Sequence, residues 1–136
     1  MSSNKKLGNS FETEFCEILS AHGFWVHNLA QNQAGQPADV IAVKSGHAYL
    51  IDCKVCSSKS FPLSRVEENQ ELSMELWKSC GNGEGWFALK VEEKIIMVPH
   101  VSVHIISEKK SRMNLTDIHR YGIDLERWIE MDGEWT

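Results

Sequence analysis

Apolar positions recur along this chain at two different spacings, and the changes from one to the other divide it into elements. In residues 9–22, NSFETEFCEILSAH, the residues Phe11, Phe15, Ile18, Leu19 and His22 fall at helical spacing. Asn9 or Ser10 stands where a helix cap is expected, and Gly23 stands where a helix stops. Glu12 lies at the edge of this apolar face, beneath Phe15 and Leu19, where a carboxylate needs a partner. FWVHNLA (24–30) has strand composition and QNQAGQP (31–37) is a polar loop. Val40 to Val43 and Ala48 to Val55 form two further strands around a tight Ser45-Gly46 turn. Both runs are nearly continuous in apolar residues, as central strands covered on both faces require. After a flexible loop, Ser64 is a predicted cap, with Glu67 completing a capping box, and Gly81, Gly83 and Gly85 end the helix. WFALKV and KIIMVP are strands joined around Glu92-Glu93, so the order is α β β β α β β. HVSVHIISEKK reads equally as a short helix or a strand, and residues 107–136 are expected to pack on the domain or on a dimer partner.

Composition narrows the class. At 136 residues, 42% hydrophobic and with five Trp and five Phe, the chain suits one domain over 1–136, with residues 1–7 as a flexible N-terminal arm. No apolar run approaches the roughly 20 residues that cross a bilayer, and MSSNKKLGNS lacks the apolar centre of a signal peptide. A cytoplasmic, reducing location with no membrane partner is therefore expected, with Cys16, Cys53, Cys56 and Cys80 as buried thiols. A net charge of −5 does not favour a broad phosphate-binding surface. Local basic groups in NKK, SSKSFPLSR and EKKSRM remain available to phosphates.

PADVIAVKSGHAYLIDCKV, residues 37–55, places Asp39, Asp52 and Lys54 where a sheet core prefers apolar side chains. Residues two apart in a strand share a face, so Asp52 and Lys54 point the same way. Asp39 begins the antiparallel neighbour, so one acid from each strand converges at one end of the sheet, and Glu12 approaches from the helix. Three carboxylates and a lysine then share one pocket. Like carboxylates oppose one another's ionisation, so the cluster calls for a cation, and Mg²⁺ suits oxygen ligands and phosphate.

PAD at 37–39 followed by DCK at 52–54 resembles the PD-(D/E)XK nuclease signature, with GNSFETEF similar to the helix that supplies that superfamily's further glutamate. The helix, the hairpin and SFPLSRVEENQ together resemble Holliday junction resolvases of the archaeal and RecU-like groups, over roughly residues 7–98. The resemblance implies an α/β, restriction-endonuclease-like fold, a mixed central β-sheet flanked by α-helices. It also implies Mg²⁺-dependent hydrolysis of phosphodiesters in branched DNA, with Mn²⁺ as a substitute. Glu12, Asp39 and Asp52 match the metal-binding acids, the Cys53 backbone carbonyl a further metal ligand, Lys54 the catalytic lysine, and Gln70 a supporting polar position. The chain departs from the pattern in placing Ala38 between Pro37 and Asp39, and in using Asp52 for the commoner glutamate. Two symmetric cuts in a four-way junction imply a homodimer, with an uncovered apolar strand or tail residues as interface. Lys5, Lys6, Lys59 and Arg65 are the candidate DNA contacts.

Other readings are carried beside this one. A nuclease of the same fold acting on duplex ends, flaps or a short sequence shares every site residue. A non-catalytic nucleic-acid-binding module fits the negative charge. CKVC lies inside a strand, where a redox CxxC is not expected, and Cys53 and Cys56 with His100 and His104 make a poor zinc set because the cysteines face opposite ways. Those histidines are expected at the surface. Trp77, Trp86, Trp128 and Trp135 are core residues before they are base-stacking platforms.

Overall fold

The computed structural model describes residues 2–29 and 38–134, with the backbone alone over 2–9. Helix α1 (Ser2–Ala21) lays Phe11, Phe15 and Leu19 on the sheet. It starts at Ser2 rather than at a cap at Asn9 or Ser10, so it also takes up the positions expected to form an arm. His22 lies beyond its end, exposed, and Gly23 reverses the chain with a φ of +89°.

Strands β1 (Trp25–Asn28), β2 (Val40–Lys44) and β3 (His47–Cys56) form an antiparallel meander. Ser45 and Gly46, at φ +53° and +79°, make the tight β2–β3 turn. The chain then passes through β4 (Ser60–Pro62), a 3₁₀ turn (Leu63–Arg65) and α2 (Glu68–Ser79), and returns as β5 (Trp86–Val91), parallel to β3. Ser64 is not the cap of α2, because the 3₁₀ turn occupies it. Glu67 caps the helix instead, its N–H donating to Gln70 Oε1 at 3.1 Å. Gly85 lets α2 seat closely on the start of β5, since a Cβ there would sit 2.4 Å from Met74 Cγ.

Strand β6 (Lys94–Pro99) pairs antiparallel with β5. The rest of the chain, ambiguous in its pattern, is mostly helical: α3 (His100–Ser107), α4 (Leu115–Tyr121) and α5 (Leu125–Met131), with short strands β7 (Arg112–Asn114) and β8 (Ile123–Asp124). β7 pairs with β4, and β8 completes a six-stranded sheet in the order β1-β2-β3-β5-β6-β8. The tail thus packs on its own domain. The fold is the expected mixed sheet flanked by helices.

Two cores cover the sheet. Phe11, Phe15 and Leu19 of α1 and Trp128 of α5 pack with Tyr49, Ile51 and Cys53 on one face. Met74 of α2, Val103 and Ile106 of α3 and Ile118 of α4 pack with Leu50, Cys56 and Phe87 on the other. β3, buried on both faces, accounts for the nearly unbroken apolar run that surrounds its acid and lysine.

Candidate active site

The β2–β3 ladder ends where Val40 faces Ile51, while β3 runs on beside β5 to Cys56. Ala38 packs on the α2 face and Val40 on the α1 face, although residues two apart in a regular strand would share one. The backbone therefore bends at Asp39 and turns its carboxylate toward β3. Asp39 Oδ2 accepts the Cys53 N–H at 2.8 Å, and the Asp39 N–H reaches the Ile51 carbonyl at 3.1 Å. The side chain takes the place of the strand partner that β2 no longer offers. A residue's N–H and C=O point to the same side of its strand, so the Cys53 carbonyl is aimed into the gap that Asp39 occupies.

Alternation along β3 sends Asp52 and Lys54 to the α2 face, between Leu50 and Cys56. Asp52 is 1% exposed. Gln70, in the first turn of α2, donates from Nε2 to Asp52 Oδ1 at 3.0 Å. Its Oε1 accepts from the Glu67 N–H and from Lys54 Nζ, so the helix cap and the site share one amide. Lys54 Nζ lies 3.0 Å from Asp52 Oδ2 as an ion pair, yet off the direction of a hydrogen bond, and that buried oxygen accepts none among the described residues. Burial, and after it the charge of Asp39, hold the Asp52 carboxyl well above the usual carboxylate range against the pull of Lys54.

Glu12 is buried on α1. Burial pushes the Cys53 thiol up, and the carboxylates of Asp39, Asp52 and Glu12 add to it in that order. The acids therefore surround Cys53 from both faces of the sheet: Asp52 with Lys54 and Gln70 on the α2 side, Glu12 from α1, and Asp39 in the gap. The hydrogen-bond-free Asp52 Oδ2, the Asp39 carboxylate and the Cys53 carbonyl form an all-oxygen set suited to a hard divalent cation.

The basic candidates fare differently. Lys59 is exposed, with a φ of +57°, and pairs with Glu92 at 3.2 Å. Arg65 donates to the Val55 carbonyl at 2.7 Å and lies over the Phe61 ring, which ties it to the end of β3. The side chains of Lys5 and Lys6 lie outside the described residues, as do Pro37, the loop 31–37 and Trp135. Trp86 and Trp128 are core residues, and Trp77 packs partly buried on the α2-side core.

Cys53 and Cys56 occupy opposite cores, as alternation requires, and burial lifts the Cys56 thiol to about 11. Cysteine–histidine zinc ligation is not assembled. The structure corrects the expectation of surface histidines, because His100 is buried and its Nε2 lies 3.2 Å from Glu71 Oε1. His104 stands one turn later, its Nδ1 3.5 Å from the same oxygen. Sequence reasoning passed over this trio. The signal, two histidines four apart, is legible only once 100–107 is known to be a helix.

A family model described as archaeal Holliday junction resolvase (Hjc) matches residues 3–135. This chain belongs to the archaeal Holliday junction resolvase family. The 1.6 Å structure of Hjc from Archaeoglobus fulgidus, a Holliday junction resolvase from an archaeal hyperthermophile, superimposes with a TM-score of 0.69. That likeness holds at 16% identity and covers 90% of this chain and 99% of that one, so it concerns the fold. A comparison with curated proteins finds no match. Membership in the Hjc family makes the chain a Holliday junction resolvase, an endonuclease of the PD-(D/E)XK type. Among the described residues, no helix is long and apolar enough to cross a membrane.

Proposed function

We propose that this resolvase hydrolyses phosphodiesters of four-way DNA junctions with Mg²⁺, or Mn²⁺ in its place, held by Asp39, Asp52 and the Cys53 carbonyl. The observation that carries this reading is the buried Asp52, whose Oδ2 lies 3.0 Å from Lys54 Nζ and whose carboxyl is pushed up by burial and by the charge of Asp39 beside it. When bound, such a cation polarises a phosphoryl oxygen and lowers the pKa of a coordinated water.

The chain's own groups complete the site. Gln70 holds Asp52 Oδ1, which aims Oδ2 toward Lys54 and the gap. Lys54 puts an ammonium where negative charge gathers on phosphorus as the water oxygen bonds to it and the ester bond opposite breaks. The same ammonium can orient the attacking water, which gives up one proton as the leaving oxygen takes one up. Glu12, approaching from α1, is the further proposed metal-binding acid. Lys5, Lys6, Lys59 and Arg65 are the proposed backbone contacts to DNA.

Two symmetric cuts need two sites, and the second is proposed to come from a second copy of this chain. Leu72 and Leu76 on α2, and Val101 and Ile105 on α3, are large apolar side chains left 41–63% exposed, on two helices joined by the Glu71–His100 contact. These side chains are proposed as interface beside the uncovered strand or tail residues.

The deciding experiment cleaves a labelled four-way junction beside linear duplex and single strand, with Mg²⁺, with EDTA, and with Asp52→Asn. Paired nicks at the junction that need the metal and disappear in the variant support the proposal. Undiminished cutting by Asp52→Asn removes Asp52 from the site, and metal-dependent cutting confined to linear DNA removes the junction as substrate.

A further inference from the structure

The carboxylate of Glu71 on α2 and the rings of His100 and His104 on α3 converge away from the Asp52 site. Their nearest ligand atoms all lie within 4.8 Å of one another. Histidines four apart on one helix face turn their rings toward a common point, the spacing that lets a helix hold one metal ion with two imidazoles. Glu71 Oε1 lies beside both rings, 3.2 Å from His100 Nε2 and 3.5 Å from His104 Nδ1. For metal–ligand bonds of about 2.0–2.1 Å, the ligand-to-ligand edge of a tetrahedron is about 3.3–3.4 Å. The two nitrogen–oxygen separations bracket that edge, so two of the three edges of a tetrahedral face stand at ligand spacing, and the third is no longer than 4.8 Å.

We infer that Glu71, His100 and His104 form a second metal site, distinct in chemistry from the catalytic one and selective for Zn²⁺ or a similar borderline ion. Two imidazoles and one carboxylate suit Zn²⁺ rather than Mg²⁺, which favours oxygen ligands and keeps several waters. His100 is buried and holds its end of the trio rigidly, while His104 is 52% exposed, so the fourth position opens to solvent and takes a water. The ion clips α3 to α2 at the residue after Gln70, and so stiffens the turn that holds Asp52. The site does not depend on the catalytic reading above, and the test separates the two.

Co²⁺ serves as the spectroscopic stand-in for Zn²⁺ on the purified full chain. Metal-free protein is titrated with Co²⁺ and followed by visible absorption, as wild type, Asp52→Asn, His104→Ala and Glu71→Gln. The expected result is one equivalent bound with the strong ligand-field bands of a four- or five-coordinate ion and no thiolate charge-transfer band. These bands persist in Asp52→Asn, and affinity falls by at least about tenfold in His104→Ala and in Glu71→Gln. Zn²⁺ displaces the Co²⁺ and, at about a hundredfold excess over its Kd, raises the wild-type melting midpoint by about 5–10 °C. In Mg²⁺ alone, His104→Ala cleaves junctions as wild type does, because the clip is empty in both. Failure to bind one equivalent overturns the inference. So does binding that survives both ligand variants, that disappears in Asp52→Asn, or that carries a thiolate band.

Discussion

Asp52 concentrates the physical cost of the site in one side chain. Its carboxyl is held well above the ordinary aspartate range by burial and by Asp39. From about pH 4 up to its raised value, the folded chain therefore binds a proton that the unfolded chain has released. Stability from this group is fully present below about pH 4 and is lost as pH rises through the folded pKa. In EDTA, denaturant unfolding across that range should show wild type losing stability relative to Asp52→Asn as pH rises, and a constant difference between the two contradicts the assignment. Gln70 is proposed to act through Asp52, to whose Oδ1 it donates, rather than on DNA. Gln70→Ala should lower the cleavage rate by about 10–100-fold and raise the Mg²⁺ concentration needed for half-maximal rate. Junction binding in Ca²⁺, measured by gel shift, should be unchanged, and an equal loss of binding would make Gln70 a DNA contact instead.

Single elements explain why these residues meet. The bend at Asp39 exists because Ala38 and Val40 are buried in opposite cores, and it places a carboxylate where a strand partner would have been. The cap of α2 is shared with the site, since the Gln70 amide serves both the Glu67 N–H and Asp52. At the other end of the chain, α5 behaves as core: Trp128 stacks on Phe24 with ring centroids 5.8 Å apart and meets Tyr49 and Trp86 edge-on. Trp128→Ala should destabilise the domain by about 3–5 kcal/mol in urea unfolding. A loss below about 1 kcal/mol would mean that α5 is peripheral.

For the whole molecule, the formal charge of −5 no longer argues against DNA, because Glu12, Asp39 and Asp52 cluster around one residue, where they suit a cation. The exposed Leu72, Leu76, Val101 and Ile105 lie on the helices that cover the Asp52 face. Leu76→Glu should put charge into the proposed interface and shift sedimentation from dimer toward monomer, with paired junction cuts giving way to slower single nicks. A wild type that sediments only as monomer at working concentration removes the interface outright.

The amino-acid sequence by itself determined what depends on local spacing. Period two set Asp52 and Lys54 on one face and Cys53 and Cys56 on opposite faces, helical period marked Phe11, Phe15 and Leu19, and Ser45-Gly46 marked the hairpin. The acid and lysine of β3 were legible for the same reason, whereas Gln70 came from the family resemblance, and its contact with Asp52 was decided by the fold. Tertiary structure decided what depends on distant partners. Segment 100–131 is helical chiefly because its apolar residues meet the two cores, and short amphipathic stretches gain their stability from such packing rather than from their own propensity. The cap moved from Ser64 to Glu67 because Ser64 lies inside the 3₁₀ turn Leu63–Arg65. Glu71 met His100 and His104 only because the fold brings one residue of α2 to the start of α3, a contact across 29 residues that no local period encodes.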